Sequence, residues 1–298
     1  MGECYYEDNP VKDLREMGTI IHHYTNIDVL ALILKNRTLR FMRLDQMDDP
    51  EECNFVSNGV NLGQYTFVSC WTEVKEESIP MWKMYTKDKW GIRISLEKEG
   101  LFRTYTDYEY ISQNNVVTEV GKEIRFLLNP KLRFNQTEYL PPFLTDDYDK
   151  CHFYRKIQYV DDITTYADNC VQIPDDENSD AITLITDKVG SYKHKRWAFQ
   201  EESRFVMFFM PGNSFPYHHD SEKFISAQRQ IIRDVKRNKE LNFSYFDMNL
   251  SDGAFEHMVI TMSPFCDDAQ WAIVEALRDK YAPKAEIRGS NLAGKLAK

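Results

Sequence analysis

An α+β fold in a single domain is what this sequence predicts, and three observations lead there. Short runs with strand-like alternation recur along the chain and are interspersed with a few helical stripes. No internal repeat and no linker divides the 298 residues. Hydrophobic residues make up 42% of the chain and aromatics 13%, enough to fill a substantial core.

Composition bounds the setting. A formal charge of −10 argues against coating of nucleic acid by the global field, while leaving room for a local basic patch. The six cysteines, Cys4, Cys53, Cys70, Cys151, Cys170 and Cys266, include no close pair, so neither a zinc knuckle nor a compact disulfide framework is expected. They read as reduced thiols of a cytoplasmic protein. The first residues are acidic with no apolar run, and no later segment approaches the roughly twenty apolar residues that span a membrane.

Taken in order, residues 17–25 read as a strand that ends in His23, Tyr24 and Thr25. Thr25 or Asn26 is expected to cap a helix with Ile27, Leu30, Ala31, Ile33 and Leu34 inward. His23 and Thr25 share a strand face beside that helix N-terminus, where backbone N–H groups favour a negatively charged ligand. A strand follows over 38–42. The acidic loop 45–52 lacks the alternating spacing and glycine of a calcium loop and reads as turn chemistry and solvated charge. Residues 64–72 form a strand with Ser69, Trp71 and Thr72 near its exit, and 79–85 a short helix with proline in its first turn. Trp82 and Tyr85 share a face of that helix, either as core or as a stacking platform.

Residues 90–96 alternate as a strand, and 98–190 read as an insertion with a strand over 154–160, an acidic loop over 174–180 and a helix over 182–189. A helix over 221–241 turns Phe224, Ala227, Ile231, Ile232 and Val235 inward and shows Lys223, Arg229, Arg233, Lys236, Arg237 and Lys239 outward, the best candidate for a basic footprint. The chain closes with a strand over 257–262, a helix over 267–281, a strand over 285–288 and a loose tail over 289–298.

The stretch 195–209 carries the chemistry. Read as one strand, it points Gln200, Glu202 and Arg204 to one side and Phe199, Glu201, Ser203 and Phe205 to the other. Trp197, Phe205, Val206 and Phe208 mark it as largely buried, where a carboxylate is expensive without a partner; Arg204 is the obvious one for Glu202. The alternative is an edge strand with a solvated Glu/Arg pair.

Together, His23-Tyr24-Thr25, Ser69-x-Trp71-Thr72, Met81-Trp82-x-x-Tyr85 and Trp197-x-x-Gln200-x-Glu202-x-Arg204 form an ordered set. In this order they resemble an uncharacterised bacterial family with a His-Tyr-Thr start and a late Trp-x-x-Glu-x-Glu-x-Arg strand, which looks like a divergent branch of the ADP-ribosyltransferase-like superfamily. The resemblance extends from about Ile20 to Ser290. It implies a split β-sheet core with peripheral helices, gripping NAD as co-substrate and using no metal. It further implies that His23 holds NAD and orients the nicotinamide for catalysis with Thr25 assisting, that Ser69 supports the glutamate, that Trp82 and Tyr85 stack on nicotinamide, and that Tyr24, Trp71 and Arg204 also belong to the cofactor site. Glu202 is then the catalytic glutamate, kept ionised by Arg204, and Gln200 handles the acceptor. Here the chain departs from the pattern, since Gln200 stands where the family has Glu, and glutamine is a poor general base.

The resemblance implies transfer of ADP-ribose from NAD to a macromolecule, RNA slightly favoured over protein, by a bacterial toxin or phage-defence effector; an antitoxin partner is expected by analogy only. Two alternatives remain, an NAD glycohydrolase and a catalytically inactive NAD or nucleotide sensor. A metal-dependent nuclease built on Asp45, Asp48, Asp49 and Glu51 is the weakest, because its carboxylates cluster in one loop.

Overall fold

The first strand, β1 (Ile20–Asn26), runs straight into helix α1 (Ile27–Asn36). Ile27, Leu30, Ile33 and Leu34 form the buried stripe predicted for α1. Neither Thr25 nor Asn26 caps it with a side chain; the N-cap Asn26 has extended backbone, and its side chain instead accepts from the Lys87 N–H at 2.6 Å. This computed structural model describes residues 18–106, 125–128, 137–138, 143–144, 153–174, 181–212 and 221–296.

Eight further strands join β1 in one sheet: β2 (Thr38–Arg43), β3 (Thr66–Thr72), β4 (Gly91–Glu97), β5 (Tyr154–Lys156), β6 (Glu202–Phe208), β7 (Tyr245–Asn249), β8 (Val259–Met262) and β9 (Glu286–Arg288). Their order is β5-β6-β3-β1-β4-β8-β9, with β2 also pairing β3, and β7 pairing β2. All contacts are antiparallel except β8 with β9. The architecture is a mixed α+β protein with peripheral helices, among them α2 (Pro50–Cys53), α3 (Ile79–Met84), α4 (Ser221–Lys236) and α5 (Asp268–Tyr281).

The edges of β3 explain the plan of the sheet. One edge pairs with β6 along its length, from Thr66 opposite Phe208 to Thr72 opposite Glu202. The other is shared. β1 meets it through one register pair, His22 with Thr72, and β2 meets it at Phe67 and Val68. Around Cys70, between these contacts, no strand partner lies on that edge among the described residues, so the sheet opens there into two arms.

One face of the sheet carries Ile21, Ile94, Trp71, Phe205 and Ile260 and grows into an aromatic cluster. The Phe205 ring lies 5.0 Å from Phe102, 5.1 Å from Phe153 and 4.9 Å from Tyr154, edge-on or tilted as ring quadrupoles prefer. Each such ring contributes about 1.5–3 kcal/mol by burial, so this face is the anchor of the fold. The opposite face is also covered, yet it is polar: Glu202, Thr72, His22 and Ser95 follow one another across four strands.

Several expectations are corrected. The stretch 195–209 is not one strand: Lys195–Gln200 is a 3-10 turn and β6 begins at Glu202. Between them Glu201 adopts the left-handed region, φ 43°, where a non-glycine residue is uncommon. The helix expected over 182–189 is absent; Thr183–Leu184 pairs with Val171–Gln172 instead, and Ile182 and Leu184, two apart as on a strand face, pack against the core. The strand expected over 154–160 breaks at Ile157 into Tyr154–Lys156 and Gln158–Val160. The helix expected over 221–241 ends at Lys236, and the side chains of Lys223 and Phe224, like nearly half of the predicted insertion, the acidic loop at 175–180 included, lie outside the described residues.

The tail is not loose at its start. Glu77 accepts from the Ser290 hydroxyl at 2.5 Å and the Asn291 N–H at 2.7 Å, and its other donor is the Trp82 indole at 2.9 Å. One carboxylate thus ties the segment after β9 to helix α3. Replacing Glu77 with Ala is expected to lower the urea-unfolding midpoint, at a cost of about 1–3 kcal/mol for the three orphaned donors; an unchanged midpoint would show that the tail adds no stability.

Candidate functional site

The site is built where β6 begins. Side chains two apart on a strand share a face, so Glu202 and Arg204 point together, opposite Thr72 and Cys70 of β3. Arg204 Nε donates to Glu202 Oε1 at 2.5 Å. Its fork continues to Glu52 of α2, with Nη1 donating to Oε1 and Nη2 to Oε2 at 3.0 Å. Lys193, on a short strand Tyr192–His194, closes the group: Nζ lies 2.8 Å from Glu202 Oε2, 2.8 Å from Gln200 Oε1 and 3.8 Å from Glu52 Oε2.

Two cations and two carboxylates therefore share one interior. Exposure is 0% for Arg204, 1% for Glu52, 2% for Lys193 and 7% for Glu202. Burial works against the charge of Glu202, but Arg204, Lys193 and the Cys70 thiol outweigh it and hold the carboxyl at about 2. Burial pushes the Glu52 carboxyl upward, against the pull of Arg204 and Lys193. Burial likewise raises the Cys70 thiol, with Glu202 adding to it, so Cys70 remains a thiol.

A polar chain leads outward from this group. Gln200 gives its oxygen to Lys193 and its Nε2 donates to the Tyr85 hydroxyl; Tyr85 in turn donates to Asp48 at 3.5 Å. Burial and the carboxylates of Asp48 and Glu202 push the Tyr85 phenol up. The Tyr159 hydroxyl accepts from the Glu202 N–H at 2.9 Å, and burial raises it to about 12. Thr72 donates to the Glu201 carbonyl at 2.9 Å, which pins the left-handed residue beside the catalytic candidate.

At the opening of the sheet, His23 Nδ1 lies 2.8 Å from the Cys70 carbonyl that no strand satisfies. A carbonyl only accepts, so Nδ1 carries the proton and Nε2 is left as an acceptor. Burial lowers the His23 pKa, which keeps the ring neutral near pH 7. Its ring lies 5.2 Å from that of Trp71, whose indole donates to Ser69 at 3.0 Å. Tyr24 points the other way, its ring edge-on to Trp82 at 5.0 Å and its hydroxyl accepting from the Ser78 N–H at 2.9 Å.

Of the residues singled out in the sequence, Gln200, Glu202, Arg204 and Tyr85 are brought together. Ser69 and Thr25 are not: Ser69 is the register partner of Phe205 and stands on the face away from Glu202, as does Thr25 opposite Ile92. Trp71 and Trp82 are buried in packing. By register it is His22, rather than His23, that follows Thr72 in the row from Glu202.

The acidic loop is corrected as well. Glu52 and Asp49 are buried, not solvated. Asp49 caps α2 by accepting from the Glu51 N–H, with Pro50 in the first turn, which turns Glu52 inward. That Asp-Pro start was the available signal for Glu52; Lys193 had none, since it stands in a three-residue strand with no periodicity around it. Among the described residues no three His, Cys, Asp or Glu side chains converge as a metal site, and no helix is long and apolar enough to cross a membrane.

Two outcomes follow from the ion cluster. Glu52→Leu leaves Arg204 without its bidentate partner and is expected to cost about 3–5 kcal/mol in chemical denaturation; a near-zero change would show that the cluster does not hold α2 to the sheet. A carboxyl depressed to about 2 from an ordinary 4.5 contributes stability that is present above 4.5 and lost as pH falls towards 2. The wild type should therefore lose stability across that window faster than Glu202→Gln; parallel pH profiles would contradict the assignment.

No family model, no curated protein and no solved structure matches this chain.

Proposed function

We propose that the chain is an NAD-dependent ADP-ribosyltransferase of the split-sheet type, acting on a macromolecular acceptor, with RNA slightly favoured over protein. One observation carries the reading: the His-Tyr-Thr, Ser-x-Trp-Thr and late-glutamate motifs stand on adjacent strands β1, β3 and β6, at the place where β1 leaves β3, with an ionised Glu202 beside the opening.

The chain's own groups fit that chemistry. Breaking the nicotinamide–ribose bond develops positive charge on the ribose, which a fixed carboxylate stabilises. Glu202 is anchored by Arg204 on Oε1, Lys193 on Oε2 and the Cys70 thiol. An ionised carboxylate offers about four lone-pair directions, so one is left for a ribose hydroxyl. His23 stands on the other face of β1, opposite Ile94, so the polar group that continues the Glu202 row is His22, next to Thr72. For an acceptor, α4 and its continuation present Arg229, Arg233 and Arg237 four residues apart, a basic ridge suited to phosphates.

A second reading, transfer to water, is favoured by Gln200. Its oxygen is held by Lys193 and its nitrogen by Tyr85, so neither end is turned to an incoming acceptor.

The test is incubation of wild type and Glu202→Gln with adenylate-labelled NAD plus RNA, single-stranded DNA and lysate protein, following label and free nicotinamide. Label on one macromolecule, reduced about 10²–10³-fold by Glu202→Gln, is the expected result. Nicotinamide release without label establishes the hydrolase instead. NAD binding with neither product would make the protein a sensor, and no binding at all would sink the proposal.

A further inference from the structure

Arg93 lies on β4, on the same sheet face as Glu202, with Tyr24 as its register partner on β1 and Thr261 on β8. Its side chain is buried, 7% exposed. Among the described residues its guanidinium makes one hydrogen bond, from Nη1 to the Lys75 carbonyl at 3.0 Å, and stands 5.8 Å from the centre of the Tyr24 ring. Nε has no partner, and no ion pair reaches the group among the described residues.

The other buried cations differ. Arg43 pairs with Asp45 at 2.7 Å, Lys98 with Glu99 at 3.4 Å, Lys193 with Glu202 and Arg204 with Glu52. Arg93 alone among the buried, described cations lacks a carboxylate. A guanidinium does not shed its proton in proteins, so this is a buried charge that the fold leaves uncompensated, an expensive arrangement unless something arrives to balance it.

The nearest side chains on this sheet face carry hydroxyls and an imidazole. His22 Nδ1 lies 2.7 Å from the Ser95 hydroxyl, and Thr261 stands on the same face one strand away. Burial and the charge of Arg93 hold His22 at about 4, so it adds no second cation. A planar fork with hydroxyl neighbours suits a tetrahedral oxyanion that takes several donors at once.

We infer that Arg93 anchors an anion subsite that takes a phosphate group, on the face that carries Glu202. The subsite does not depend on the reaction proposed above. If both hold, one ligand spans three strand spacings and a two-residue offset along β4, about 16 Å, between Arg93 and Glu202.

The experiment is calorimetric titration and thermal unfolding of wild type, Arg93→Gln and Arg93→Lys with sodium pyrophosphate, orthophosphate and chloride at matched ionic strength. Wild type should bind pyrophosphate or orthophosphate, with a raised melting temperature, and chloride should do nothing. Arg93→Gln should bind at least about tenfold more weakly, the loss of one charge-assisted contact, and Arg93→Lys should fall between. Without ligand, Arg93→Gln should melt at or above wild type, because it removes an unbalanced charge. A response to pyrophosphate alone identifies a diphosphate ligand, and an equal response to orthophosphate identifies the free ion. The inference falls if wild type binds neither, if Arg93→Gln binds as well as wild type, or if unliganded Arg93→Gln melts well below wild type. NAD cleavage is not among these readouts, so a failed transferase assay and a failed subsite remain separate results.

Discussion

Arg204 has no contact with water and reaches two carboxylates at once, Glu202 on its own strand and Glu52 on α2, while Lys193 bridges Glu202 to Gln200. The four charges cancel, which is the condition for keeping them in an interior where each alone would be costly. They also join three parts of the chain that have little else in common: a regular strand, a four-residue helix and an irregular segment around residues 190–200. Gly190 shows how close that last segment runs, since its left-handed backbone, φ 72°, lies where a β-carbon would touch Val68 and Leu44. The polar cluster sets the register of these pieces, and apolar burial on the opposite sheet face supplies the stability that lets them meet.

The second constraint is the edge of β3. A strand that shares one edge between two partners leaves backbone groups in between with nowhere to go, and unsatisfied buried carbonyls are rare. The His23 ring fills that place for Cys70, and in doing so its tautomer is set. A structural need and a chemical one are thereby met by the same imidazole: the opening persists because His23 completes it, and the ring presents an acceptor there because its other nitrogen is committed to the backbone.

Much of this was legible in the chain and some was not. The strands at Ile20–Asn26, Thr66–Thr72 and Gly91–Glu97 follow from their apolar runs, α1 from its stripe, and α3 from Pro80 in its first turn, to which the structure adds the Ser78 cap. The pairing of Glu202 with Arg204 follows from strand periodicity alone. Lys193 and Glu52 could not be read that way. They enter through a three-residue strand and a four-residue helix, too short for any period to show, and only the fold brings them to Arg204. Gln200 does stand with Glu202, yet not through the continuous strand that periodicity predicts: the link is a turn, the left-handed Glu201 and the shared ammonium of Lys193. The motif order pointed to His23, and the register that puts His22 in the row with Glu202 could not be seen without the sheet.

The Glu77 carboxylate has a consequence for the order in which the molecule is made. Its contact with Ser290 joins residues 213 positions apart, so during synthesis the loop before α3 waits until residue 290 has been made. Contacts of such long range form late, after the loop-closure cost has been met by other elements. Helix α3 carries Trp82 and leads into Tyr85, the residue that meets Gln200. A nascent chain that has already folded β1 to β6 still lacks this brace, and until residue 290 is made α3 is held on this side by Tyr24 through Trp82 and Ser78.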